Sequence, residues 1–248
     1  MHPRAAWLAM AMHGARQSFN PTALRALARV ARRPSLMVPH LECDDVAALD
    51  YAALRSRGFR AVVFDKDATL TLPYSYDVPR ASREAIAAAQ AHFGAGQVVC
   101  LSNSAGGPDD ADGAAARQCE ASLRMRVVRH RTKKPGGIDE LLSSLDEPAS
   151  PLELVVVGDR LLTDVVFGNL HGALTVRTRA LLDARRARDN RAAAIARRAE
   201  SAVLAAGRAG YLGGRARWQP APHALLPRAD TRRVVSAAGP AAADPGGQ

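Results

Sequence analysis

Apolar residues fall along this chain in short blocks separated by stretches of helical periodicity. Ala61-Val62-Val63-Phe64, Val98-Val99-Cys100-Leu101 and Leu154-Val155-Val156-Val157 are strand-length runs rich in β-branched residues, and each breaks at a polar residue or Gly-Asp. Near-continuous apolar runs of this kind predict strands covered on both faces. The pattern places strands at 61–65, 97–101, 125–129, 153–158 and 173–177, with helices at about 79–92, 110–123, 136–145 and 163–171. Strands alternating with helices predict an α/β fold, a parallel sheet with helices on both faces.

The polar residues that end the strands change the picture from fold to chemistry. Asp65 and Asp67 follow the first run, and a period of two sends both side chains toward the same side of the strand end. Like charges held that close need a cation, or one of them takes up a proton. The loop behind them, Ala68-Thr69-Leu70-Thr71, offers backbone N–H groups to an anion. Asp-x-Asp alone also serves as turn or cap chemistry. Ser102-Asn103-Ser104-Ala105-Gly106 follows the second long run, Lys133-Lys134-Pro135 precedes a helical pattern, and Gly158-Asp159 with Asp164 follows the last long run. Singly, the first two of these read as a loop start and solvated charge. Ligands of open α/β sheets bind at the carboxyl ends of strands, so all four sets together point to one phosphate-transfer site.

This order of motifs resembles the haloacid dehalogenase superfamily of phosphohydrolases over about 61–176. Phe64-Asp65-Lys66-Asp67-Ala68-Thr69-Leu70 with Pro73-Tyr74, the Ser102-Asn103-Ser104 stretch, Gly158-Asp159-Arg160 through Asp164, and Gly168-Asn169 with Gly172 are similar to its mitochondrial-type phosphatidylglycerophosphate phosphatases. So is Pro39-His40-Leu41 leading to Leu49-Asp50-Tyr51. That branch carries Asn where this chain has Ala68; the backbone N–H survives, but any loop-fixing role of the Asn side chain is lost.

The resemblance implies a HAD-like Rossmannoid domain and a mechanism. Asp65 is the expected nucleophile and Asp67 the general acid and base. Mg²⁺ is expected at the Asp65 carboxylate, the Asp67 carbonyl and Asp159, with Asp164 in support. Lys66, Ala68, Ser102, Asn103 and Lys134 are the expected phosphate contacts. Lys134 is preferred over Lys133 because it directly precedes Pro135. The 34 residues between Asp67 and Ser102 and the 31 between Ser102 and Lys134 are each consumed by one helix and one strand. No large cap domain fits, so an open site is expected.

Charge divides the chain further. The net charge is +10, with +6 in residues 1–41 and +9 from Arg177 onward, leaving −5 for 42–176. An acidic catalytic domain, 42–178, is therefore expected between a basic N-terminal arm, 1–41, and a basic helix, 179–208, whose arginines read as a solvated face. Beyond it, 209–248 is expected to be disordered or loosely docked. After Asn20-Pro21, Leu24, Leu27, Ala28 and Ala31 line one side of a helix, and Arg25, Arg29, Arg32 and Arg33 lie on the other. This suits an anionic membrane surface, a packed helix or an import sequence. No apolar stretch reaches the roughly 18 residues of a spanning helix. Cys43, Cys100 and Cys119 fit no metal spacing, and Cys100 reads as a buried thiol.

The leading expectation, implied by the resemblance, is a peripheral phosphatase removing the terminal phosphate of phosphatidylglycerophosphate to give phosphatidylglycerol at the matrix side of the mitochondrial inner membrane, with a plastid as the other location. A HAD phosphatase of soluble sugar phosphates or nucleotides is the second. A nucleic-acid-binding protein on a HAD scaffold is the third. Aromatic residues make up only 4%, and no RNA-binding signature accompanies the basic arms, so no nucleic-acid partner is expected. Nothing in the sequence sets the oligomeric state.

Overall fold

The computed structural model describes residues 28–182 and 191–235. Six parallel strands form one sheet in the order β1-β6-β5-β2-β3-β4. They are β1 (Leu41–Cys43), β2 (Ala61–Phe64), β3 (Val98–Cys100), β4 (Arg126–Val127), β5 (Leu154–Gly158) and β6 (Leu174–Thr178). β2 and β5, the two most apolar runs, are buried along their whole length at the sheet centre, with Val62 opposite Val155 and Phe64 opposite Val157.

Alternation along the strands builds two cores. Val62, Phe64, Val98, Cys100, Val155 and Val157 face α1 (Tyr51–Ser56), α2 (Arg80–Phe93) and α3 (Ala114–Leu123). Ala61, Val63, Val99, Leu101, Leu154 and Val156 face the other way, toward Leu141 of α4 (Ile138–Ser143) and Phe167 of α5 (Val166–His171). Helices cover both faces, as expected. The five expected strands are present, and the helix expected over 163–171 begins as a π-helical turn, Leu161–Val165, before α5. No large cap domain interrupts the described strand–helix alternation.

Two elements carried no sequence pattern of their own. β1 is three residues long and pairs with β6 at the edge, Leu41 opposite Val176. Too short to show a period, it is held by distant partners: the Asn169 side chain donates to the carbonyls of Leu36 and Val38 (2.9 and 3.0 Å), and the backbone N–H of His40 donates to Thr175 O (3.1 Å). α1 is a single short turn, capped by the Asp50 carboxylate on the Ala53 N–H.

The chain beyond β6 departs from expectation. α6 (Arg191–Ala209) is a helix, but residues 210–235 pack on the domain and are not a loose tail. Their anchors are the few large apolar residues of an otherwise Gly- and Pro-rich segment: Trp218, Leu226 and Val234 are all buried. Trp218 stacks where Gly207 lacks a side chain, since a Cβ there would sit 2.0 Å from its ring. Trp218 joins Leu204 and residues of the 34–38 segment in a third apolar cluster. The chain's first 27 residues, 183–190 and 236–248 lie outside the described residues, which takes Arg25, most of the expected N-terminal helix and the last part of the expected tail with them. Residues 28–32 are helical, with Val30 buried and Arg29, Arg32 and Arg33 exposed.

Candidate active site

The carboxyl ends of β2, β3 and β5, with the loop after β4, converge on one group of charges. Asp65 follows β2, its N–H donating to Val157 O at 2.8 Å, so the neighbouring strand fixes where the side chain begins. Lys134 reaches it from the loop after β4. Its Nζ lies 2.6 Å from Asp65 Oδ1 and 2.5 Å from Asp164 Oδ1, with all three side chains largely buried. Lys133 points elsewhere and pairs with Asp109 at 2.5 Å. Asp164 sits on the π-helical turn, where its Oδ2 accepts from the Arg160 N–H at 3.1 Å. Gly158 admits that carboxylate: a Cβ there would be 2.4 Å from Asp164 Cγ.

Asp159 completes an acidic triad. One oxygen from each of Asp65, Asp159 and Asp164 lies within 4.8 Å of the others, and all three residues are buried. Burial pushes the Asp65 carboxyl up to about 7; the Lys134 ammonium opposes this, while Asp164 and Asp159 add to it. Asp159 is pushed up to about 6 by burial, against the pull of Arg197. Burial would lower the Lys134 ammonium, but the carboxylates of Asp164 and Asp65 more than reverse this and raise it. Three carboxylates thus face two cations, and Asp159 Oδ1 is buried with no hydrogen-bond partner among the described residues. A bare buried carboxylate oxygen in an all-oxygen donor set fits a hard divalent cation. The triad holds the Asp164 side chain, whereas the Asp67 side chain lies outside it.

Asp67 faces its own partners. Its Oδ1 accepts from Lys66 Nζ (2.7 Å) and the Tyr74 N–H (3.0 Å), and its Oδ2 from the Ser104 hydroxyl (2.5 Å). The Asp67 side chain keeps 23% of its exposure. Lys66 therefore serves Asp67, its ammonium also lying 5.1 Å over the Tyr76 ring. Ser102 is buried and shares a hydrogen bond with Ser104 (Oγ to Oγ 2.9 Å). Asn103 accepts the Lys134 N–H at 2.8 Å and so fixes the lysine loop. The Ala68 N–H is committed to Thr71 O at 2.8 Å, so it closes the loop on itself, and the Ala68 carbonyl accepts from the Leu181 N–H.

Two parts of the site escaped sequence reasoning. His130 ties its loops together, one ring nitrogen 2.8 Å from Ser102 O and the other 2.8 Å from Thr132 O. It follows Val127-Val128-Arg129 without motif or spacing, so no local signal marked it. Arg197, expected on a solvated face, instead pairs with Asp159 Oδ2 at 2.5 Å and is largely buried. The α6 helix that carries it is pinned by Glu200, which takes Arg160 at 2.7 Å and the Leu161 N–H at 2.9 Å. The expected open site is thus walled on its Asp159 side, where a cavity of about 810 Å³ lies between α6 and the β1–β6 edge. Charge on a helix reads as solvated until the packing surface is known.

The comparison of sequences decides the family. The family model for mitochondrial PGP phosphatase matches residues 22–182, well over half of the chain. The chain belongs to that family. It is 45% identical over 149 residues to phosphatidylglycerophosphate phosphatase 1, chloroplastic, of Chlamydomonas reinhardtii, covering 59% of this chain and 54% of that one. It is 41% identical over 153 residues to the chloroplastic/mitochondrial enzyme of that name from Arabidopsis thaliana, covering 61% and 43%. A probable mitochondrial phosphatidylglycerophosphatase of Schizosaccharomyces pombe is 30% identical over 166 residues, covering 62% and 79%. The chain spans about half the length of the first two relatives. No solved structure matches it. The PGP phosphatase match takes in β1–β6, the acidic triad, Asp67 and Lys134, and it ends before α6.

Proposed function

We propose that this protein is a Mg²⁺-dependent phosphatase that hydrolyses the terminal phosphomonoester of phosphatidylglycerophosphate to give phosphatidylglycerol. The observation that carries the reading is the buried Asp65 carboxylate, gripped by Lys134 at the end of β2, in a chain of this family. The mitochondrial inner membrane, on its matrix side, is the proposed location, with a plastid as the other, following the names of the relatives.

The residues divide the work. Lys134 holds Asp65 Oδ1 and leaves the second oxygen to attack phosphorus in line. That oxygen forms the new P–O bond while the bond to the glycerol oxygen breaks. Asp67, held by Lys66, Ser104 and the Tyr74 N–H, gives its proton to the departing alkoxide. It then takes a proton from the water that attacks the aspartyl phosphate, releasing inorganic phosphate and restoring Asp65. Lys134 and Ser102 would meet the phosphoryl oxygens with positive charge and a hydroxyl. Asp65 and Asp159, with the Asp67 carbonyl and with Asp164 in support, would hold Mg²⁺, which when bound neutralises phosphoryl charge against the nucleophile.

The test is an assay of the purified chain on phosphatidylglycerophosphate, a sugar phosphate and a nucleotide. The lipid is expected to be hydrolysed best. Activity is expected to vanish in chelator, return with Mg²⁺ and be inhibited by Ca²⁺, whose looser coordination misplaces the nucleophile. Preference for the sugar phosphate or nucleotide would overturn the substrate assignment, and full activity without metal would overturn the cation.

A further inference from the structure

Arg197 lies on α6, beyond the last residue matched by the family model, so no family motif marks it. Its Nε donates to Asp159 Oδ2 at 2.5 Å, and the two side chains are 14% and 1% exposed. The other oxygen, Oδ1, is buried with no hydrogen-bond partner among the described residues, and Asp159 is a member of the acidic triad. A carboxylate with one oxygen tied and the other bare is oriented for a cation, because partners outside the ligand set fix ligand geometry.

The helix that delivers Arg197 is not free to drift. Glu200, one turn along α6 and 4% exposed, is bound by Arg160 through Nε and Nη2 and by the Leu161 N–H. Arg160 and Leu161 directly follow Asp159, so α6 grips the same loop at two points. Among the described residues Arg197 makes no ion pair with Asp65 or Asp164, whose partner is Lys134. Its Nε is aimed at one oxygen of one ligand.

We propose that Arg197 is a positioning residue of the active site, holding Asp159 Oδ2 so that Oδ1 faces the divalent cation, and that α6 is thereby a working part of the catalytic domain. This inference rests on the assignment of Asp65, Asp159 and Asp164 to a cation site; it does not depend on which phosphate ester is the substrate.

Titration calorimetry of the full chain with Mg²⁺ alone tests it. Loss of such an outer partner weakens metal binding by about 10- to 100-fold. Arg197→Met is expected to lose at least about 10-fold in Mg²⁺ affinity, while Arg198→Met, at an exposed neighbouring position, is expected to bind as the parent does. On a small aryl phosphate, Arg197→Met should need more Mg²⁺ for half-maximal rate and regain most of kcat at saturating Mg²⁺. A merely structural role would lower the melting temperature and would not move that half-point. If Arg197→Met disturbs α6, Arg197→Gln keeps a polar side chain over Asp159 without the charge, and the same loss is expected. Affinity unchanged in both variants would overturn the proposal, and tighter binding would make Arg197 a competitor of the cation, overturning it equally. If the parent chain binds no Mg²⁺ at all, the cation assignment falls and this inference with it.

Discussion

At the scale of single residues, Ala68 stands where the resemblance leads one to expect Asn, and its backbone gives that position a physical meaning. Ala68 has φ +63° and is completely buried. The left-handed region costs a residue with a Cβ roughly 1–2 kcal/mol, and Asn and Gly tolerate it best. The loop bears that strain because the Ala68 N–H and carbonyl are both hydrogen-bonded. Ala68→Gly relieves that strain but gives up about 0.4–1 kcal/mol of chain entropy and a buried methyl of about 0.8 kcal/mol, so it is expected to leave stability nearly unchanged. A melting temperature shifted by more than about 4 °C in either direction would refute the account. Asp65→Asn preserves size but removes the anionic oxygen. Turnover on an aryl phosphate is expected to fall by several orders of magnitude in a folded protein; near-normal turnover would assign the chemistry to another residue.

At the scale of elements, the β1 edge depends on a histidine that must stay neutral. His40 Nδ1 accepts the Thr175 N–H at 3.1 Å and lies 2.8 Å from Thr175 Oγ1. Burial, aided by the nearby His223, depresses its pKa from 6.5 to about 4. A group depressed in this way binds its proton more readily when unfolded. Its contribution is complete above pH 6.5 and drains away as pH falls toward 4. The melting temperature is expected to drop between pH 6.5 and 4.5, and the drop should be smaller in His40→Asn, which cannot titrate. Parallel curves for the two proteins would show that the acid lability arises elsewhere.

At the scale of the whole molecule, an acidic middle between basic ends is a charge layout for an anionic surface. Among the described residues no helix is long and apolar enough to cross a membrane. Each Lys or Arg near an anionic bilayer contributes about 1 kcal/mol, weakened by salt. Binding to liposomes is therefore expected to rise with anionic lipid and fall with ionic strength. Replacing Arg25, Arg29, Arg32 and Arg33 by Gln should reduce both liposome binding and lipid hydrolysis, and leave hydrolysis of a small aryl phosphate unchanged. Arg29, Arg32 and Arg33 are exposed and so available for this role. Unchanged lipid hydrolysis would move the docking surface elsewhere, and an equal loss on both substrates would mean that the segment supports the fold.

The parts of this protein legible in its sequence are those whose cause is local. β2, β3 and β5 follow from apolar runs long enough to be recognised, and Asp65, Asp67, Ser102 and Asp159 follow from where those runs break. The helices on both faces follow from periodicity. Tertiary structure alone decided what depends on distant partners. It gave Lys134, already preferred in the sequence, its partners Asp65 and Asp164 while Lys133 pairs with Asp109, and it made β1 a strand through partners 135 residues away at Thr175. It also turned Arg197 and Glu200 from one more charged helix surface into a buried clamp on the Asp159 loop. A charge pattern on a helix is the same in water and against a protein wall. Only the packing that removes the water tells which charges must find a partner.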